Sequence, residues 1–208
     1  MTIQPLAAIL GLVPPFKENA VDTFYRMLGD IEAGRIEPIY FLCGPERLLI
    51  DRLVAALRRA VLDPSTAEFN HDVVSAADAS IGKILQLPRT VSMMGGRRLV
   101  EGRDADALPA ESREELLAYL AHPVTDAVLL FTGTKADARF KLWKTLDQKG
   151  WLGRFEAVRG APLFRFLQAE ARRLEVRFAP GAAELLVDLV GTDFLTLASA
   201  VEKLCLFV

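Results

Sequence analysis

The chain has 208 residues, of which 51% are apolar and 25% are charged, a balance typical of a globular protein and not of a disordered one. Its formal net charge of −2 gives no broad cationic face, which disfavours tight, autonomous binding of nucleic acid, since such binding depends on neutralising phosphates. The three arginine pairs, Arg58-Arg59, Arg97-Arg98 and Arg172-Arg173, are predicted to be solvated edges of helices or strands and not phosphate sites.

The N-terminal run PLAAILGLV is too short to span a bilayer and no basic region precedes it, so we expect neither a signal peptide nor a membrane anchor. Cys43 and Cys205 lie in apolar runs and are predicted to be small buried side chains in a reducing compartment. His71 and His122 have no partners at metal-ligand spacing. These features predict a cytoplasmic protein without a metal site, in which residues 1–19 form an N-terminal extension.

The first predicted elements are a helix, a strand and a second helix. Apolar residues recur at helical spacing over residues 20–33, and Gly34 fits the helix end. IYFLC (39–43) is a continuous apolar run, typical of a strand that is buried on both faces. Gly44-Pro45 then turns the chain, and ERLLIDRLVAALRRAV (46–61) predicts the second helix from its apolar stripe.

The alternation of strand and helix continues to residue 158. Further strands are predicted at FNHDVV (69–74), RLVEG (98–102), AVLLFTG (127–133) and RFEAV (154–158). The helices between them are predicted at SIGKILQL (80–87), in a segment that Pro109 opens, and in a segment that ends with LWKTLDQKG (142–150). Strands that alternate with helices imply parallel pairing through crossovers, so residues 1–158 are predicted to form an α/β domain with a doubly wound, five-stranded parallel sheet.

The strand pattern largely stops near residue 159, where a small helical second domain (159–208) is predicted. Its three helices are expected at PLFRFLQAEARRL (162–174), PGAAELLVDLV (180–190) and DFLTLASAVEKLCLFV (193–208). The chain ends in an apolar helical pattern without a capping glycine or a polar exit. We therefore expect a fragment that lacks a further C-terminal domain.

The turn after the first strand is where an α/β protein of this kind would bind phosphate, and it reads FLCGPERLLIDR. A phosphate loop has the spacing GxxxxGK[ST], but only Gly44 is present. Pro45 removes a backbone donor, Glu46 adds a repelling charge, and Leu48-Leu49 stand where Gly-Lys would fall. Neither a nucleophile elbow nor a Cys-His signature is present, so the sequence predicts a non-catalytic module without cofactors.

Four segments together resemble the delta subunit of the bacterial DNA polymerase III clamp loader. They are EPIYFLCGPERLLIDRLVAALR, whose turn matches the family's Gly-x-Glu, LPRTVSMMGGRRLVEGRDADAL, LLFTGTKADARFKLWKTLDQKG and VEKLCLF. No single motif is strong, but the order and spacing of the four extend the resemblance over roughly residues 35–208.

The resemblance implies an AAA+-like doubly wound sheet without a functional nucleotide site, followed by a helical lid domain, with the family's C-terminal collar domain missing. It implies a non-catalytic subunit of DNA polymerase III, a nucleotidyltransferase as a complex, that binds the sliding clamp and opens it for loading onto primed DNA. Other clamp-loader subunits would be contacted mainly through the missing domain, and DNA only indirectly or weakly.

The family's clamp-binding element is a Leu-Phe pair, which the resemblance places on Met93 and Met94 with Val91 beside them. The aromatic is absent here, but methionine is flexible and polarizable and can enter an apolar pocket. Burial frequencies alone favour a core role for a methionine, whereas the adjacent Gly95-Gly96 favours a projecting turn. Two alternatives for the chain remain open: an unusual P-loop-type nucleotide hydrolase and a DNA-binding adaptor.

Overall fold

The computed structural model describes residues 18–92 and 95–207, which contain a parallel sheet and the helices around it. The strands are β1 (Ile39–Cys43), β2 (His71–Ser75), β3 (Arg98–Arg103), β4 (Ala127–Gly133) and β5 (Leu152–Arg154). The helices are α1 (Ala20–Glu32), α2 (Arg47–Val61), α3 (Ala67–Asn70), α4 (Ile81–Gln86), α5 (Ser112–Ala121), α6 (Lys141–Gln148), α7 (Ala161–Arg173), α8 (Ala182–Val190) and α9 (Phe194–Cys205). None of the helices in these two ranges is long and apolar enough to cross a membrane.

The five strands form one sheet in the order β2-β3-β4-β1-β5, and every neighbouring pair is parallel. β1 and β4 lie next to each other in the interior of the sheet, with Ile39 opposite Leu129. Both strands are apolar almost without interruption because helices cover both of their faces. The predicted doubly wound, AAA+-like parallel sheet is confirmed.

Two apolar clusters cover the two faces of the sheet. Tyr40 and Leu42 of β1 point into the first cluster, which α1, α2 and the helices after residue 159 complete. Phe41 and Cys43 point into the second, which α4, α5 and α6 complete. Because successive side chains of a strand alternate between its faces, one buried strand supplies both clusters.

α1 begins and ends with the signals expected from its sequence. The side chain of Asn19 accepts hydrogen bonds from the backbone amides of Val21 and Asp22 at 3.1 Å each, which caps the first turn. Gly34, in a left-handed conformation with φ of 75°, follows the end of the helix. Its apolar face is buried against the first cluster, including Phe24, which is 2% exposed.

The predicted strand at 154–158 was wrong in position, since β5 spans Leu152–Arg154. Gly150, with φ of 73°, ends α6 and sends the chain directly into the sheet, where Trp151 and Leu152 are buried. Phe155 is fully buried just after β5, and its backbone is still bonded to Cys43 at the end of β1 and to Glu46 before α2. Burial of the two apolar residues after the glycine therefore sets the register of the strand.

The strand predicted at 69–74 was placed two residues too early, because Ala67–Asn70 forms a short helix and β2 starts at His71. Phe69, which suggested a strand by its type, is 61% exposed and lies outside the sheet. Asn70 is instead 1% exposed, and its side chain bonds to residues beyond the strand. The polar side chain therefore occupies a buried place that its type does not predict.

The helices after residue 159 pack against α1 and α2 in the same apolar cluster as the sheet. Phe166 of α7 and Phe194 of α9 stack with ring centroids 4.3 Å apart, and neither ring is exposed. Cys205 is only half-buried at the end of α9, so the prediction of burial holds for Cys43 alone. Burial raises the pKa of the Cys43 thiol to about 12.

A buried ion-pair cluster joins these helices to α2. Arg52 donates two hydrogen bonds to the carboxylate of Glu170 at 2.5 and 2.7 Å, and the side chain of Glu170 is 3% exposed. Arg173 bonds to Glu170 at 3.1 Å and to Glu202 at 2.7 Å. Burial alone would raise the pKa of Glu170, but Arg52 and Arg173 outweigh it and leave that pKa lowered. Arg173 is thus a member of a structural cluster and, with a side chain 47% exposed, also lies at the solvated edge that was predicted.

Candidate functional site

The turn between β1 and α2 is closed by the backbone of Phe155. Gly44 has φ of 134°, a conformation that residues with a side chain rarely adopt. A Cβ atom built on Gly44 would lie 2.3 Å from the carbonyl oxygen of Phe155. Only glycine fits here, because the backbone of Phe155 occupies the space that a Cβ atom would need.

The amides of this turn are used within the chain. The N–H of Phe155 donates to the carbonyl of Cys43 at 2.7 Å, and the N–H of Glu46 donates to the carbonyl of Phe155 at 3.1 Å. The N–H of Arg47 donates to Pro45 at 2.8 Å, and Pro45 itself has no N–H. A phosphate loop binds its ligand with free amides, and these amides are already engaged.

Glu46 further closes the turn because its side chain is buried towards α9. The residue is 8% exposed, and burial together with the nearby charge of Asp193 raises its pKa, while the backbone amide of Phe194 acts in the opposite direction. Leu49, which stands at a position where a phosphate loop would have glycine or lysine, is fully buried in the first apolar cluster. The residues Gly44, Pro45 and Glu46 therefore form a packed corner of the fold.

We expect that MgATP does not bind to this corner, because its amides are engaged and Glu46 repels phosphate. Isothermal titration calorimetry of the pure chain should show no heat of binding at micromolar nucleotide. A titration of magnesium alone serves as the control for metal binding elsewhere. Micromolar affinity for ATP, or release of phosphate by the pure chain, would contradict the expectation.

A second charged group lies at the carboxyl end of β3. Arg58 donates to both carboxylate oxygens of Glu101 at 2.6 and 2.7 Å, and Nε2 of His71 lies 2.8 Å from the same carboxylate. Glu101 is 3% exposed; burial would raise its pKa, but the bonds from Arg58 and His71 leave it lowered. Arg98 likewise pairs with Asp72 at 2.7 Å. The prediction of a solvated edge was therefore wrong for Arg98, whose side chain is 14% exposed, whereas the side chain of Arg58 is 38% exposed.

The cavity beside this group has a volume of about 380 Å³, and its lining has mixed charge. Three arginines and four carboxylates line it, among them Arg58 and Glu101. Asp106, also in the lining, accepts hydrogen bonds from the backbone amides of Thr134 and Lys135 at 2.6 and 3.3 Å. Within residues 18–92 and 95–207, no three His, Cys, Asp or Glu residues are grouped to hold a metal ion. Charged side chains that line this cavity, such as Arg58, Glu101 and Asp106, are therefore bonded within the fold.

The loop of residues 91–97, which precedes β3, contains the predicted binding residues. Val91 is 82% exposed, an unusual state for a branched apolar side chain. Met93 and Met94 lie outside the described residues. A groove of about 460 Å³ runs beside the loop, lined by residues 88–92 and 95–98 and by Val124 and Asp126. Of the three predicted residues, Val91 is thus found on the surface.

Ser92 and Gly95, the residues directly before and after Met93-Met94, are both bonded to Asn70 of α3. The Nδ2 atom of Asn70 donates to the carbonyl of Gly95 at 2.8 Å, and its Oδ1 atom lies 2.6 Å from the hydroxyl of Ser92. The sequence gives no sign of this contact, because 22 and 25 residues separate the partners. Only a structure places Asn70 at the loop.

The parallel sheet, the closed turn after β1 and the helices beyond residue 159 define an AAA+-like α/β protein whose turn after β1 is bonded to the chain's own backbone. The family model described as "DNA polymerase III, delta subunit" matches residues 40–156, more than half of the chain. This chain belongs to the family of DNA polymerase III delta subunits.

Two relatives from Bacillus subtilis agree with this assignment. The DNA polymerase III subunit delta of strain 168 is 28% identical over 188 residues, which are 86% of this chain and 54% of that protein. The solved structure of the DNA clamp loader delta protein (YqeN) aligns with a TM-score of 0.74 and 25% identity, covering 88% of this chain and 57% of that one. The chain thus spans somewhat more than half the length of these relatives.

Proposed function

We propose that this chain binds the sliding clamp and opens its ring for loading onto primed DNA, as a non-catalytic subunit of a clamp loader. The observation that carries the proposal is the loop of residues 91–97, with Val91 82% exposed, at the place where the family resemblance puts the clamp-binding pair. We propose Val91, Met93 and Met94 as the residues that contact the clamp. An exposed apolar group on an anchored loop is suited to an apolar pocket in a partner.

The closed turn at Gly44 supports a mechanism that works by binding alone. A subunit that binds the open clamp better than the closed one shifts the clamp towards the open form without hydrolysing nucleotide. The engaged amides of Glu46 and Arg47 disfavour the alternative of an unusual nucleotide hydrolase. The pairing of Arg58, Arg98 and Arg173 with carboxylates disfavours the DNA-binding adaptor.

We also propose a division of the chain into an AAA+-like domain (1–158, with 1–19 as an N-terminal extension) and a helical lid domain (159–208). The change from alternating strands and helices to helices alone at α7 supports this boundary. Contacts with other clamp-loader subunits would be made mainly by the part of the longer relatives that this chain does not span.

Two measurements with the sliding clamp of the same organism test the proposed function. Surface plasmon resonance should show binding at micromolar concentrations or below. A clamp that carries a self-quenching dye pair across its subunit interface should brighten when this chain is added, because opening separates the dyes. A clamp that is covalently cross-linked at the interface is the control and should stay dark. Absence of binding would contradict the proposal, and binding without brightening would limit it to docking.

A further inference from the structure

We propose that Asn70 is a positioning residue for the clamp-binding loop, an inference that rests on the proposed function. Its carboxamide ties together Ser92 and Gly95, the residues directly before and after the Met93-Met94 pair. By fixing both ends of the pair in advance, Asn70 lowers the ordering cost that the loop pays when it binds the clamp.

The bonds of Asn70 use both hydrogens of its amide nitrogen and one side of its oxygen. Nδ2 donates to Gly95 at 2.8 Å and to the hydroxyl of Thr66 at 3.2 Å, while Oδ1 lies 2.6 Å from the hydroxyl of Ser92. The residue is 1% exposed, so water does not compete for these bonds. Such a set requires a group with two donors and an acceptor, which the carboxamide supplies.

The backbone of the loop is shaped to meet this side chain. Gly95 and Gly96 have φ of 74° and 80°, a left-handed conformation that glycine adopts without strain. The N–H of Gly95 also donates to the carbonyl of Ser92 at 3.4 Å, and the single hydroxyl hydrogen of Ser92 is shared between two acceptors at 2.6 Å, the carbonyl of Gly95 and Oδ1 of Asn70. The two ends of the pair are thus bonded to each other as well as to Asn70.

Two variants of Asn70 separate anchoring from general packing. Asn70→Ala removes all three bonds of the carboxamide. Asn70→Asp keeps nearly the same shape but places a carboxylate oxygen against the carbonyl of Gly95, where both groups are acceptors. Thr23→Val in α1 is the matched control, because it removes a buried side-chain hydrogen bond, to Glu18 at 3.2 Å, in another part of the fold.

Hydrogen exchange of the amides in the 91–97 loop reads the anchoring directly and needs no clamp. Both Asn70 variants should raise the exchange rates of this loop, whereas Thr23→Val should leave them unchanged. Unchanged exchange in both Asn70 variants would overturn the anchoring. This result is independent of the proposed function, so the two can fail separately.

Clamp affinity tests whether the anchoring serves binding. Asn70→Ala and Asn70→Asp should each weaken binding by about tenfold, the equivalent of about 1.4 kcal/mol, and Thr23→Val should not. No loss of affinity in either Asn70 variant, or an equal loss in Thr23→Val, would overturn the positioning role. A parent chain that does not bind the clamp would overturn the proposed function, and this role with it.

Discussion

Changing Met93 and Met94 together to alanine should weaken binding to the sliding clamp by roughly two to four powers of ten. Burial of one methionine side chain is worth about 1.5–3 kcal/mol, and each 1.4 kcal/mol changes affinity about tenfold. Surface plasmon resonance on the parent and the variant measures the difference. Met94→Phe should preserve or tighten binding, because it restores the aromatic that the family resemblance implies at this position.

Met27 supplies the matched control for this pair. It is 2% exposed in α1 and belongs to the first apolar cluster, so Met27→Ala should cost about 2–5 kcal/mol of stability while clamp affinity stays the same. The double alanine variant should show the opposite pattern, with weak binding and a melting temperature close to that of the parent. A large drop in its melting temperature, or parental affinity, would contradict the binding role of Met93 and Met94.

Gly44→Ala should destabilise the protein by at least about 3 kcal/mol, from backbone strain of about 1–3 kcal/mol and from hydrogen bonds worth about 1 kcal/mol each. The new Cβ would lie 2.3 Å from the carbonyl oxygen of Phe155, and this backbone cannot move without breaking its bonds to Cys43 and Glu46. Thermal unfolding should show a melting temperature lower by about 6–12 °C, since each kcal/mol shifts a chain of this size by about 2–4 °C.

Gly29→Ala separates this effect from the general cost of replacing glycine. Gly29 lies in α1, and a Cβ there would have no heavy atom within 4 Å. Alanine favours a helix over glycine by about 0.5–1 kcal/mol, so this variant should be slightly more stable than the parent. If Gly44→Ala melted at the parental temperature, the packed corner at Phe155 would be contradicted.

The sheet could be predicted from sequence because its signals are local. β1 is an apolar run of five residues and β4 a mostly apolar run of seven, both between turn residues, which is typical of strands buried on both faces. β5 was misplaced because RFEAV has strand-forming residues, whereas the pairing depends on burial of Trp151 and Leu152 after Gly150. A choice between two adjacent short segments is made by tertiary packing, which the local pattern does not contain.

At the closed turn and at the loop before β3, the residue types could be interpreted from sequence, but the long-range contacts could not. Pro45 and Glu46 predict by their types that phosphate binding is impaired, since one removes a donor and the other adds a negative charge. The role of Phe155 in closing the turn could not be predicted, because 109 residues separate Glu46 from it and the bond involves only backbone atoms. The partners of Arg58 and Asn70 were missed because they lie 43 and 25 residues away along the chain.

The ion-pair cluster around Glu170 joins α7 to α2 across the change of architecture at residue 159. Separation of α7 from α2 would break the pair between Arg52 and the carboxylate of Glu170, which is 3% exposed. It would also open the apolar cluster that α1 and α2 share with the last three helices. The segments on the two sides of residue 159 thus share both an apolar cluster and an ion pair, so that a movement of one against the other would disturb both.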